Sequence, residues 1–86
     1  MATKVMKVVV FGSEFCPYCK RAVALLKKHN AAYTYIDTAT EEGDRQRSIL
    51  SKQYKHSTIP LILVNDQFVG GFDDLKRKVD ANELLF

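Results

Sequence analysis

Eighty-six residues, at roughly one domain per 100 to 200, make a single domain over 1–86 with no room for two independent cores. A hydrophobic content of 47% with 27% charged residues is that of a chain that folds rather than one that stays disordered, and no apolar run approaches the roughly 18 residues of a bilayer-spanning helix. The formal charge of +3 comes from cations scattered in ones and twos. The nearest clusters, Lys27-Lys28 and Lys76-Arg77-Lys78, fall on predicted helices as solvated faces, so neither nucleic acid nor a membrane is the expected partner.

In chain order, Lys4 and Lys7 precede no apolar leader of about 7 to 15 residues, which makes the cytoplasm the expected compartment. Val5 to Phe11 is a β-branched run broken only by Lys7, the pattern of a strand buried on both faces. Gly12 to Phe15 breaks it. From Pro17 to about Asn30, Cys19, Val23 and Leu26 recur at helical spacing, widened by Ala22 and Leu25, with Lys20, Arg21, Lys27 and Lys28 opposite. Pro17 suits a first helical turn, where its missing N–H costs nothing. Tyr33 to Asp37 alternates as a second strand, parallel to the first after the helical crossover.

Thr38, with Glu41 three residues on, has the form of a capping box for a polar helix running to about Tyr54 and burying Ile49 and Leu50. Leu61–Val64 and Gln67–Gly70 flank Asn65-Asp66, a two-residue connection suited to an antiparallel hairpin. After Gly70-Gly71, a last helix starts near Asp73-Asp74 and buries Leu75 and Val79. The expected fold is α/β, a four-stranded mixed sheet with three helices in the order β-α-β-α-β-β-α.

Two cysteines three positions apart are no disulfide framework, since a Cys16–Cys19 bridge closes almost no loop and so removes little entropy from the unfolded chain. Their position points to reactivity instead. Cys16 falls at the N-cap of the first helix, where unpaired N–H groups and the helix dipole favour a thiolate. Cys19 lies on the same helical face, placed to resolve a mixed disulfide formed at Cys16. Two alternatives stand beside this one: a pair of ordinary buried cysteines, or half of a zinc site. The second lacks its other half, because His29 and His56 are 27 positions apart; His29 fits better as a dipole contact at a helix C-terminus.

Cys16-Pro17-Tyr18-Cys19, Thr58-Ile59-Pro60 and Gly70-Gly71-Phe72-Asp73-Asp74, in that order and separation, resemble the three signatures of a dithiol glutaredoxin across essentially the whole chain. The related thioredoxins carry Trp-Cys-Gly-Pro-Cys, and this chain has no Trp. The resemblance implies a thioredoxin-like fold and a monomeric enzyme with no tightly bound cofactor. Glutathione would be its co-substrate, and glutathionylated proteins and protein disulfides its partners. Cys16 would be the nucleophile and Cys19 the resolving thiol. Tyr18 would line the groove, Thr58, Ile59 and Pro60 would bind glutathione, with Pro60 cis and facing Cys16 and Ile59 offering its backbone to glutathione's cysteine, and Gly71, Phe72, Asp73 and Asp74 would hold its γ-glutamyl end. Ser13 stands where many members have Lys or Arg, which leaves Arg47 to meet the glycyl carboxylate alone. Two other readings belong to the same resemblance: an iron–sulfur cluster-binding module, and a dedicated donor, for example to ribonucleotide reductase, reduced by a thioredoxin-type reductase.

Overall fold

The chain's structure, a computed structural model, describes residues 2–86. Its elements in order are β1 (Thr3–Lys4), β2 (Val8–Gly12), α1 (Pro17–Lys28), β3 (Tyr33–Asp37), α2 (Glu41–Tyr54), β4 (Leu61–Val64), β5 (Gln67–Gly70), α3 (Phe72–Asp80) and β6 (Leu84–Leu85). The apolar run Val8-Val9-Val10-Phe11 supplies an inner strand of a four-stranded sheet ordered β3-β2-β4-β5. β2 runs parallel to β3, with Val10 opposite Tyr35 and Gly12 opposite Asp37, and antiparallel to β4, with Phe11 opposite Leu61. β4 and β5 form the expected hairpin, in which Asn65 and Asp66 take the φ values of 52° and 64° that a tight turn between right-twisted strands requires. The mixed sheet with three helices is therefore the architecture expected from the sequence.

β1 and β6 were not expected. They pair parallel as a separate two-stranded sheet, Thr3 opposite Leu84 and Lys4 opposite Leu85. Strands of two residues are too short to show a period of two. The strand expected over Val5–Phe11 is shifted for a related reason: Asn65 Oδ1 accepts the N–H groups of Met6 and Lys7 at 2.6 and 3.1 Å, while its amide donates to the Lys4 carbonyl at 2.8 Å. The Asn65 side chain takes up the Met6 and Lys7 N–H groups while the Val5 N–H turns to the Leu85 carbonyl of β6 at 2.8 Å, and β2 begins at Val8.

Side-chain alternation sends Val8 and Val10 to one face of the sheet, where Ile62 and Val64 join them beneath Ala22 and Leu26 of α1 and Leu75 and Val79 of α3. This is the core, and its fully buried members lie mostly on that face. α2 covers the other face loosely. Gly43 is its one buried residue, Ile49 is 56% exposed and Leu50 only half-buried, so the expected burial of both is corrected. They border an open hollow with Val9, Phe11, Ile36 and Leu63 instead of closing over those residues.

The cap of α2 is also corrected. Its N-cap is Thr40, whose hydroxyl accepts the Gly43 N–H at 3.0 Å and donates to the Asp37 carbonyl at 2.8 Å. Thr38 donates its hydroxyl to the Gly12 carbonyl at 3.2 Å. A turn closed by the Asp37 side chain on the Ala39 N–H, at 2.8 Å, uses the residues between strand and helix and delays the helix by two positions.

Candidate active site

β2 ends and α1 begins across Gly12 to Cys16. Ser13 builds the turn: its carbonyl accepts the Cys16 N–H at 3.1 Å and its hydroxyl accepts the Phe15 N–H at 3.2 Å. Cys16 is the N-cap, in extended conformation with φ −102° and ψ 108°, and Pro17 follows in the first turn. Cys16 Sγ accepts the Cys19 N–H at 3.2 Å, the place a capping oxygen takes in an ordinary helix. As a thiol it reaches the Ile59 carbonyl at 3.7 Å. The sulfur thus stands between a helix N-terminus and the loop before β4, half-buried and open to a reactant.

Cys19 is fully buried, at 0% exposure. Burial first, and then its bond and proximity to Cys16, push its thiol up to about 12. Tyr35 of β3 lies beside it, and its phenol is likewise pushed up to about 12 by burial and by the neighbouring Cys19. Both are neutral near pH 7. The two cysteines are unbonded here.

A groove of about 450 Å³ adjoins Cys16 and is lined by Tyr18, Thr58, Ile59, Pro60, Gly71, Phe72, Asp73 and Asp74, eight of the residues singled out in the sequence. The Ile59–Pro60 peptide bond is cis. Tyr18 and Phe72 form one wall with ring centroids 6.2 Å apart, and the Arg21 guanidinium lies over the outer face of the Tyr18 ring at 5.0 Å. At the other end Gly71 is the N-cap of α3. The Gly71 N–H donates to Asp74 Oδ2 at 3.1 Å, and this bond, with Arg77 on the other carboxylate oxygen at 2.7 Å, holds Asp74 below the usual carboxylate range. Asp74 is thereby spent on its own helix. Asp73 beside it is exposed and keeps its carboxylate for whatever enters the groove.

Arg47 is not among the groove's lining residues. It lies on α2 with its guanidinium 3.1 Å from Asp44 Oδ1. His56, by contrast, lines the groove without having been expected there. A carbonyl only accepts, so the bond at 3.2 Å to the Pro60 oxygen fixes the proton on Nε2, and Thr58 Oγ1 lies 3.4 Å from the same nitrogen. Phe68 meets the His56 ring edge-on at 5.4 Å and stacks on Tyr54 at 4.5 Å, so the loop carrying Thr58-Ile59-Pro60 is braced from behind. Position two residues before Thr58 was the only signal in the sequence. Among the described residues no group of three or more His, Cys, Asp or Glu side chains is placed to hold a metal ion, and no helix is long and apolar enough to cross a membrane. His29 sits at the C-cap of α1, as expected, with its ring stacked on Phe86 at 5.4 Å.

A mixed sheet with a buried and an accessible sulfur at the N-terminus of its first helix defines a thiol–disulfide oxidoreductase of thioredoxin-like fold. Residues 8–69 match the family model described as Glutaredoxin. The chain belongs to the glutaredoxin family. It is 39% identical over 71 residues to Glutaredoxin-2 of Schizosaccharomyces pombe, an alignment spanning 81% of this chain and 64% of that protein's length. It is 36% identical over 78 residues to Glutaredoxin-1 of Rhizophagus irregularis, spanning 90% and 77%. Among solved structures, the buckwheat glutaredoxin–glutathione complex matches with a TM-score of 0.82 at 26% identity, over 88% of this chain and 70% of that one. The dithiolic glutaredoxin 2-C-Grx1 of Trypanosoma brucei brucei matches with a TM-score of 0.80 at 36% identity, over 88% and 79%.

Proposed function

We propose that the chain reduces glutathione mixed disulfides and protein disulfides, with glutathione as electron donor. The observation that carries the reading is the groove beside Cys16, which combines a sulfur at its head, the Thr58-Ile59-Pro60 loop along one side and a helix N-terminus with the exposed Asp73 carboxylate at its far end. Glutathione carries complementary groups in that order: a thiol, a peptide backbone, and a γ-glutamyl end with one carboxylate and one ammonium. The N-terminus of α3 suits the carboxylate, Asp73 suits the ammonium, and a volume of about 450 Å³ falls in the range of small-ligand sites. The buckwheat relative, a glutaredoxin–glutathione complex, supports the choice of ligand.

In the monothiol reaction the Cys16 thiolate attacks the glutathione sulfur of the substrate disulfide. The Cys16–glutathione bond forms, the substrate sulfur leaves with the electron pair and takes a proton from solvent. A second glutathione thiolate then attacks that bond, releasing glutathione disulfide and restoring Cys16. With a protein disulfide, Cys19 displaces the substrate from Cys16 and closes the intramolecular disulfide, which two glutathiones reopen. Arg21, over Tyr18 of the groove wall, supplies positive field there in place of a residue at Ser13.

The test is the steady-state rate of glutathione-dependent reduction of a small glutathionylated substrate, coupled to glutathione reductase. Cys16→Ser should abolish turnover. Cys19→Ser should keep it while losing the reduction of protein disulfides. Turnover retained in Cys16→Ser would sink the proposal, and reduction by NADPH and a thioredoxin-type reductase without glutathione would replace the donor.

A further inference from the structure

Cys19 must lose a proton before it can attack a disulfide at Cys16, yet it is fully buried, at 0% exposure. One polar side chain outside the Cys-Pro-Tyr-Cys turn reaches it. β3 runs parallel to β2, and Tyr35, opposite Val10, projects to the face that α1 covers. Gly12, two residues on in β2, projects nothing to that face, and the phenol crosses the gap. The Tyr35 hydroxyl lies 2.5 Å and Cys19 Sγ 2.8 Å from the point that a Cβ on Gly12 would occupy. Hydroxyl and sulfur therefore share one small space, which exists because residue 12 has no side chain. Tyr35 is 37% exposed and also lines a second groove, with Glu14, Lys20, Val23, Ala24 and Asp37. One residue thus borders both the space around the buried sulfur and a groove that Thr58–Asp74 do not line.

We propose that Tyr35 is the positioning residue of the resolving thiol: its hydroxyl donates to Cys19 Sγ as that sulfur becomes a thiolate and relays the departing proton to water in the second groove. The proton of Cys19 passes to the phenol oxygen while the phenol's own proton goes to water. The Cys19 electron pair then forms the bond to Cys16 Sγ, and the bond from Cys16 to its disulfide partner breaks with the pair leaving on that partner. The protein dithiol is oxidised by two electrons and the attacked disulfide is reduced to two thiols. A hydrogen bond donated by Tyr35 would favour the Cys19 thiolate, in the same direction as the Ser13 backbone and against the larger opposing effect of burial. The role rests on the exchange chemistry proposed above but concerns Cys19 alone, so it separates the dithiol branch from the monothiol one.

An aromatic disulfide, 5,5′-dithiobis(2-nitrobenzoate), reads the two steps separately in the reduced protein. The first coloured thiolate reports attack by Cys16, the second reports closure by Cys19. Tyr35→Phe keeps the ring and removes the hydroxyl. The expected result is an unchanged first phase and a second phase slowed about tenfold or more, as a lost hydrogen bond to a charged atom implies, with its rise against pH displaced upward. A second measurement avoids the disulfide altogether: in a Cys16→Ser background, alkylation of Cys19 by iodoacetamide should slow by a similar factor on Tyr35→Phe. Equal slowing of both phases, or no change in the second, would overturn the proposal. Failure of the parent to release even the first thiolate would sink the exchange reading, and this role with it.

Discussion

Cys16 and Cys19 stand one helical turn apart in environments that differ in kind. Cys16 receives an N–H and faces a groove, whereas Cys19 is sealed under α1 with Tyr35 and Gly12 around its sulfur. A consequence for stability follows from linkage. In the unfolded chain a thiol ionises near 9.0, whereas folded Cys19 holds its proton up to about 12. Between those values the native state binds more protons than the unfolded one, so stability falls as pH rises through that window. Tyr35 adds to the same trend, with 10.0 unfolded against about 12 folded. Urea midpoints of the reduced protein should therefore decline from about pH 9 upward. Cys19→Ala should flatten the decline, and an unchanged slope would show that the sulfur is not buried as described. Gly12 is the other residue at this scale. A methyl there would stand 2.5 Å from the Tyr35 oxygen and 2.8 Å from Cys19 Sγ, closer than van der Waals contact allows, so Gly12→Ala should cost about 1 to 3 kcal/mol by overpacking, read as a lower denaturation midpoint.

Among the elements, α3 joins core and site. Leu75 and Val79 anchor it under the sheet while its first turn closes the far end of the groove. Gly70 has φ 126°, open to glycine, and a Cβ there would run into the Asp74 carboxylate that caps the helix. Because Asp74 is held low by the Gly71 N–H, its contribution is present above the unfolded carboxylate pKa near 3.9 and is lost as pH falls through the lower folded value. Asp74→Asn should remove that acid-side loss and, as a weakened cap, cost roughly 0.5 to 1 kcal/mol at neutral pH in a denaturant titration. A variant as acid-sensitive as the parent would contradict this account. The extents of β3, β4 and β5 and the buried stripe of α3 were legible in the sequence because alternation, a turn dipeptide and a 3.6-residue repeat each leave a local mark. α2 was legible only as a helix. Its start depends on Asp37 accepting the Ala39 N–H and on Thr38 donating back to Gly12, and its packing depends on how close it lies to the sheet, neither of which a local pattern records. Likewise eight groove residues fell within three motifs, whereas His56 and Tyr35 reach their places through folding alone, one behind the Pro60 loop and the other across a glycine.

The molecule as a whole is built unevenly about its sheet. One face carries α1 and α3 on a closed core of Val8, Val10, Ala22, Leu26, Ile62, Val64, Leu75 and Val79, while the other carries α2 over an open hollow. Both cysteines belong to the well-packed half, since α1 holds them and β2 aims them, and the groove is closed by α3 from the same side. α2 contributes no lining residue to that groove. An exchange reaction that must bring two sulfurs into line benefits from rigid support beneath them, whereas the helix on the far face is free to be looser. Native-state hydrogen exchange tests this asymmetry directly. Amides of β2, β4 and the buried side of α1 should exchange only through global unfolding, with free energies that fall together as denaturant is added. Amides of α2, where Gly43 alone is buried, should exchange through a smaller opening of lower free energy and weak denaturant dependence. Replacing Leu26 with Ala, at about 2 to 5 kcal/mol for a buried leucine, should lower the first group and leave the local opening of α2 almost unmoved. If both groups shift together, α2 belongs to the cooperative unit and supports the site mechanically despite its exposed Ile49.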